Sequence, residues 1–235
     1  MYFVAASDDT HRLTRIYDHG NFENYPILMG NARDSAFKYL ENKLLKNNSS
    51  TNSVKLTIDC QKWPSEQLKK TPAVAEITDW DVYSYPSMWE PFLKFLCETK
   101  NIKKLRLQTV WPYRNSITLP AEFFSTDFFK RLEYVDFEVK AMISEEDFLN
   151  SNAKLLRLKC DTISEIEINE KIQRWQEAQN DLTIDILRGD GREWSEEAVL
   201  RNLPGVETIG TLIRIYRTDG KYAFLSTHIN QILFK

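Results

Sequence analysis

At 235 residues, with 42% hydrophobic and 12% aromatic side chains, the chain is long enough for one large packed domain or two small ones and too apolar to be a disordered segment. Its 31 basic and 34 acidic residues are spread evenly and leave a net charge of -3, which excludes both the basic stripe of a typical nucleic-acid binder and an acidic tail. Protein is the favoured class of partner, and the three cysteines, Cys60, Cys97 and Cys160, lack CxxC spacing and read as reduced core thiols of a cytoplasmic or nuclear protein.

The first ten residues carry only a short apolar run before Asp8 and Asp9, too little for a signal peptide or a membrane anchor. Residues 2–7 and 12–17 flank Asp8-Asp9-Thr10 as two strands of a hairpin. Asp34 or Ser35 then starts a helix to about Lys46, with Phe37, Leu40 and Leu44 on one face, and the polar run 47–53 ends it. Short strands and helices alternate beyond that linker: VKLTID near Val54, AVAEIT near Ala73, a helix over 87–98, IKKLRLQ near Ile102, LEYVDFEV near Leu132, LLRLKC near Leu155 and LTIDIL near Leu182. Phe123, Phe124, Phe128 and Phe129 form a dense aromatic patch between two of the strands, and burial beneath the sheet is its expected fate. At the end, TLIRIYR and YAFLSTH flank Thr218-Asp219-Gly220-Lys221, and an Asp-Gly pair between strand-like runs predicts a second hairpin.

Three helix starts share a pattern. Ser164 can accept from the free amides of the first turn, Glu167 can reach back, and Ile163 can pack on Ile168; Ile143, Ser144, Asp147 and Phe148 repeat the arrangement, and Trp194, Ser195, Ala198 and Val199 keep only the hydroxyl and the staple. Strand alternating with helix favours a parallel sheet with right-handed crossovers, and the repetition favours an α/β, degenerate leucine-rich-repeat-like strand-helix stack with a curved, mostly parallel sheet and hairpins at both ends. The expected organisation is a single domain over 1–235: an N-terminal hairpin and helix (1–46), strand-helix repeats (54–187), then a capping helix and C-terminal hairpin (188–235).

Asn169, Ile172, Trp175, Asn180 and Leu182, preceded by a leucine-rich strand and the Ser164 cap, form a constellation that resembles the nematode F-box-associated domain, type 2. Arg217-Thr218-Asp219-Gly220, followed by Tyr222-Ala223, is similar to that family's late hairpin. The chain departs from the family in having Gln176-Glu177-Ala178-Gln179, with no glycine, between the tryptophan and the second asparagine, and in a short closing strand, QILFK. The resemblance implies the target-capturing part of an F-box receptor of a cullin-RING ubiquitin ligase. An F-box itself needs a leucine-rich helical segment, and Gly20, Pro26 and Gly30 break any helix in the first thirty residues, so direct contact with the ligase adaptor is not expected.

If Leu105, Leu107, Val135, Phe137, Leu156 and Leu158 point toward the helices, pleating sends Lys104, Arg106, Gln108, Tyr134, Asp136, Glu138, Arg157 and Lys159 to the opposite face, as an array for a protein partner or as an ordinary solvated sheet surface. Tyr83, Tyr85, Trp89, Trp111 and Tyr113, near Pro86 and Pro112, form a second candidate, an aromatic loop region that is either exposed or buried under a sheet end. Trp175, seven residues after Ile168, reads as core.

An enzyme needs a convergent nucleophile, base and charge stabiliser, and His11, His19 and His228 have no HExxH, GxSxG or paired Cys/His spacing around them. Carboxylates such as Glu145, Glu146, Glu196 and Glu197 fall in first helical turns, where they complement the dipole, and Arg188-Gly189-Asp190-Gly191 reads as a turn. The sequence thus points to a binding module without cofactor or metal. An RNA-binding solenoid using Lys55, Lys103, Lys104, Arg106, Arg157 and Lys159, and an enzyme with an unrecognised site, are the competing classes.

Overall fold

A computed structural model of the chain describes residues 2–6, 16–18, 21–22, 53–59, 78–84, 89–109, 117–178, 180–228 and 230–235. The chain divides into two compact units, Met1–Ile117 and Thr118–Lys235, and the boundary falls inside the run of strand-helix repeats that the sequence suggests.

The first unit contains β1 (Tyr2–Ala6), β2 (Ile16–Asp18), β3 (Asn21–Phe22), β4 (Ser53–Asp59), β5 (Asp79–Ser84), helix α1 (Trp89–Glu98) and β6 (Lys104–Thr109). The strands lie in the order β6-β5-β4-β1-β2-β3; β1, β4, β5 and β6 are mutually parallel, and β2 and β3 add antiparallel. Phe3, Leu56, Val82 and Leu107 occupy one row of the parallel register. Trp80, Val82, Leu105 and Leu107 are buried with Phe92, Phe95 and Leu96 of α1, and the Trp80 and Phe95 rings lie 5.7 Å apart. The N-terminal hairpin pairing is present, with Tyr2 opposite Tyr17. The strand expected near Ala73 and the helix expected over 34–46 lie outside the described residues; the strand described after β4 is Asp79–Ser84. Tyr83 sits in that strand and Trp89 opens α1, so two members of the supposed aromatic loop belong to regular elements, while Tyr85, Trp111 and Tyr113 lie outside the described residues.

The second unit runs β7 (Thr118–Leu119), α2 (Ala121–Phe124), α3 (Asp127–Lys130), β8 (Tyr134–Ala141), α4 (Glu145–Asn150), β9 (Leu155–Lys159), α5 (Glu165–Glu177), β10 (Thr183–Leu187), α6 (Glu196–Leu200), β11 (Val206–Ile209), β12 (Leu212–Tyr216), β13 (Tyr222–Thr227) and β14 (Gln231–Phe234). Its strands are ordered β11-β12-β13-β14-β10-β9-β8, with β7 beside the end of β8. Strands β7 to β10 pair in parallel, and β10 to β14 and onward to β11 pair antiparallel. The protein is therefore mixed α/β, and parallel pairing covers only part of each unit. The reason is loop length: Gly210-Thr211 and Thr218–Lys221 suffice for a hairpin, whereas a parallel neighbour needs a crossover of a dozen residues or more.

Along β8 the exposure alternates residue by residue, with Val135, Phe137, Val139 and Ala141 buried. Leu156, Leu158, Ile184, Ile186, Ile232 and Phe234 continue the buried set across the neighbouring strands. The phenylalanine patch is buried as expected: Phe123 and Phe124 of α2 pack with their rings 6.1 and 6.4 Å from Phe137, and Phe128 and Phe129 of α3 close around them. On the same side α5 lays down Ile168, Ile172 and Trp175, the last edge-on to Phe234 at 4.9 Å.

The helix starts form as the sequence indicates. Ser164 and Glu167 make a reciprocal capping box, with Ile163 and Ile168 buried beside it, and Ser144 and Ser195 accept from the amides of Asp147 and Ala198 at 3.1 and 3.2 Å. A cap of this kind contributes about 1 kcal/mol. The residues behind the family resemblance serve the architecture. Asn169 donates to the carbonyls of Val199 and Arg201, at 2.6 and 2.9 Å, and so ties α5 to the end of α6. Buried Arg217 donates to the Asn180 carbonyl and to Asp219 and lies 5.5 Å from the Trp175 ring centre, locking the β12–β13 turn against the end of α5. Gly220 holds that turn with φ +85°, where a side chain would be strained.

Two buried cations on this side have no counterpart in the sequence reading. Lys171 of α5 donates to the carbonyls of Phe148, Leu149 and Ser151, at 3.0, 3.0 and 2.7 Å, and thereby caps the C-terminal end of α4. Burial, with Arg174 nearby, pulls its ammonium down to about 8. Arg188 stacks its guanidinium 3.4 Å from the Trp194 ring centre and donates to Glu165 and to the carbonyls of Ile163 and Glu193. Among the cysteines, Cys160 is fully buried and burial pushes its thiol up to about 12. Cys97 is exposed, contrary to the expected core thiol, because it lies on the outward side of α1 between buried Leu96 and exposed Glu98.

Candidate functional site

Away from the helices, the sheet of the second unit carries a polar half and an aromatic half. In the polar half the parallel register sets Asp136 of β8, Arg157 of β9 and Asp185 of β10 in one row. Arg157 donates from Nε to Asp185 at 2.8 Å and from Nη1 to Asp136 at 3.1 Å, and Gln231 of β14 donates to the other Asp185 oxygen at 2.7 Å. The hydrogen bond that Arg157 donates to Asp185, helped by Asp136 against partial burial, raises the Arg157 pKa further above its already high value. With 47% of its side chain exposed, Arg157 gains little stability from these pairs, no more than about 1 kcal/mol. The row is a pre-positioned ladder in which one guanidinium is shared by two carboxylates.

A second paired group sits where β8, β9 and β10 end. Lys140 meets Asp161 at 2.6 Å, the Gly189 amide donates to the same carboxylate at 2.6 Å, and Arg192 donates to the Asp161 carbonyl and pairs with Asp190. Partial burial would raise the Asp161 pKa, but the Lys140 ammonium and the Gly189 amide outweigh it and hold the carboxyl below its ordinary range.

The aromatic half belongs to the antiparallel strands. Arg214 of β12 lies opposite Phe224 of β13 and Glu207 of β11, and Tyr216 lies opposite Tyr222. The Arg214 guanidinium sits 4.6 Å from the ring centre of Tyr222 and 5.6 Å from that of Phe224, and donates to the Tyr216 hydroxyl at 3.0 Å, which in turn donates to Glu207 at 2.8 Å. Ile209, Leu212 and Tyr222 are exposed by 42, 49 and 52% around this cluster. Large apolar side chains grouped at the surface around an arginine and tyrosines have the composition that anchors protein interfaces.

The eight residues that the sequence nominates fall in both units. On β6, Lys104 is exposed and pairs with Asp79 at 3.2 Å, Arg106 is half-buried, and Gln108 is 1% exposed. Gln108 is thus not on a solvated face: Leu107, Gln108 and Thr109 are buried in succession, as happens where a parallel strand is covered on both sides. In the second unit Tyr134, Asp136, Glu138 and Lys159 are half-buried and Arg157 is exposed. The structure brings Asp136 and Arg157 together and adds Asp185 and Gln231, which the sequence reading missed. The whole aromatic half was missed as well; its only signal is the alternation of Leu212, Arg214 and Tyr216 with Ile213 and Ile215.

Comparison with protein-family models, with curated proteins and with solved structures found no match. Among the described residues no group of three or more His, Cys, Asp or Glu side chains is placed to hold a metal ion, and no helix is long and apolar enough to cross a membrane. Of the three histidines, only His228 is described, exposed and 3.3 Å from the Ser226 hydroxyl.

Proposed function

We propose that the chain is a non-enzymatic protein-interaction module, related in role to the target-binding domain of an F-box ubiquitin-ligase receptor, and that the second unit's open sheet face is its working surface. The observation that carries this reading is the continuity of that face: the exposed Ile209, Leu212 and Tyr222 adjoin Arg214, and the Asp136-Arg157-Asp185 ladder lies on the same sheet. An apolar anchor beside paired charged groups is the anatomy of a recognition surface. The succession of β8, β9 and β10, each followed by a helix, supports the finer reading of a degenerate leucine-rich-repeat-like stack. Protein is favoured over RNA because Arg157 and Lys140 each lie against carboxylates and have little charge left for phosphates.

The test is affinity capture with the unmutated chain beside a Leu212→Ala, Tyr222→Ala, Arg157→Ala variant of unchanged melting temperature. Proteins retained by the first and lost by the second support the reading; equal recovery removes the open face from consideration.

A further inference from the structure

Strand β11 ends the second unit's sheet, and no other strand among the described residues pairs along its outer side. All four of its residues are half-exposed or exposed. Its phase relative to β12 is fixed at both ends. The two-residue loop Gly210-Thr211 closes on Ile209 opposite Leu212, and the Tyr216 amide donates to the Gly205 carbonyl at 2.9 Å, so Gly205, Glu207 and Ile209 face β12 with their backbone groups. The amides and carbonyls of Val206 and Thr208 therefore point out of the sheet. Gly205 keeps the strand in register: its φ is +63°, and a Cβ there would come within 3.3 Å of the Tyr216 Cβ.

Such an edge accepts one kind of partner backbone, an extended one. Charge then narrows the choice. Glu207, opposite Arg214, engages Arg214 and Tyr216 through Oε2, while Oε1 has no hydrogen-bond partner among the described residues. A second copy added through both Val206 and Thr208 would set Glu207 directly across from its own counterpart, and like charges in that position are destabilising. A copy added through Thr208 alone would set the carboxylate across from the apolar Ile209.

Resting on the interaction-module reading, we propose that β11 is a strand-addition site for an extended segment of another protein, carrying a basic residue opposite Glu207 and an apolar residue opposite Ile209. The added strand continues the face on which Leu212, Arg214 and Tyr222 lie, so its apolar side chain would extend the same patch.

The probe is a labelled peptide, acetyl-Thr-Val-Thr-Lys-Thr-Val-Thr-amide, with a counterpart whose central residue is glutamate, read by fluorescence anisotropy. The lysine peptide is expected to bind the unmutated chain, Glu207→Lys to weaken it by about tenfold and to prefer the glutamate peptide, and Thr208→Pro to abolish binding by removing an outward amide. Because Thr208 donates nothing to β12, the hairpin keeps its own bonds; should that variant fail to fold, the charge exchange at Glu207 decides alone. Binding of neither peptide, equal affinity across the variants, or a dimer in sedimentation that Thr208→Pro dissolves would each overturn the proposal. So would captured proteins that the triple open-face variant loses but Glu207→Lys and Thr208→Pro both retain; in that case the interaction-module reading stands and only the edge is wrong.

Discussion

The two sides of the second unit's sheet use polar residues in opposite ways. On the helix side, Lys171, Arg188, Arg217 and Asn169 are driven into the fold and each donates to backbone carbonyls that helix ends and turns leave unsatisfied, with Glu165 and Asp219 as further partners of the two arginines. On the open side, Arg157 and Arg214 bind carboxylates and rings while keeping access to solvent. Asn169 and Arg217 belong to the first group, and Trp175 is buried beside Arg217. Residues that stand out in the sequence thus hold the fold together, while those of the open face carry no motif at all.

The largest expected effect on the helix side falls at Trp175. Its ring is 6% exposed and wedged between Phe234 and Arg217, so Trp175→Ala should lower the unfolding free energy by about 3 to 5 kcal/mol in urea titration and abolish binding through loss of structure. A mild loss would place the tryptophan outside the core.

Lys171, also on the helix side, makes stability depend on pH. Its folded-state pKa, about 8, lies below the ordinary 10.5, so between those values the unfolded chain holds one more proton and stability rises with pH. Across that window the unmutated protein should gain on the order of 3 kcal/mol relative to Lys171→Met, read from denaturation midpoints at successive pH values. A flat difference would show that the three carbonyls and the Phe148 ring, 5.6 Å away, keep the amine charged despite burial.

Period and punctuation carried most of the fold. Alternation at Tyr134–Ala141, the Ser164-Glu167 box, the Asp219-Gly220 turn and the clustered phenylalanines each depend on neighbours within a few residues, so local chemistry fixes them. Gln108 failed because alternation tells which residues share a face, not whether that face is covered. The aromatic half of the open face failed because Leu212, Arg214 and Tyr216 alternate with Ile213 and Ile215, and two sets this apolar give the pattern no inside. Asp185 became a partner of Arg157 only through the register of β9 on β10, which lies 28 residues apart in sequence.

Smaller effects separate local from shared contributions. Ser164→Ala removes a cap at the start of α5 and should cost about 1 kcal/mol, with Glu167→Ala adding little on top because the two side chains form one reciprocal unit. A fully additive double variant would mean that the box acts as two independent bonds.

The weakest structural effect belongs to the residue with the strongest claim to a functional one. Arg157→Ala removes a half-exposed guanidinium and leaves Asp136 and Asp185 facing each other across the shortened side chain, with Asp185 still held by Gln231. Screened by solvent, the change should cost no more than about 1 kcal/mol, and the deficit should shrink in high salt as the repulsion between the carboxylates is damped. Partner capture should fall by more than stability does. If Arg157→Ala instead unfolds the protein as Trp175→Ala does, the ladder is part of the architecture, and the division between a side that holds the fold and a side that meets other molecules disappears.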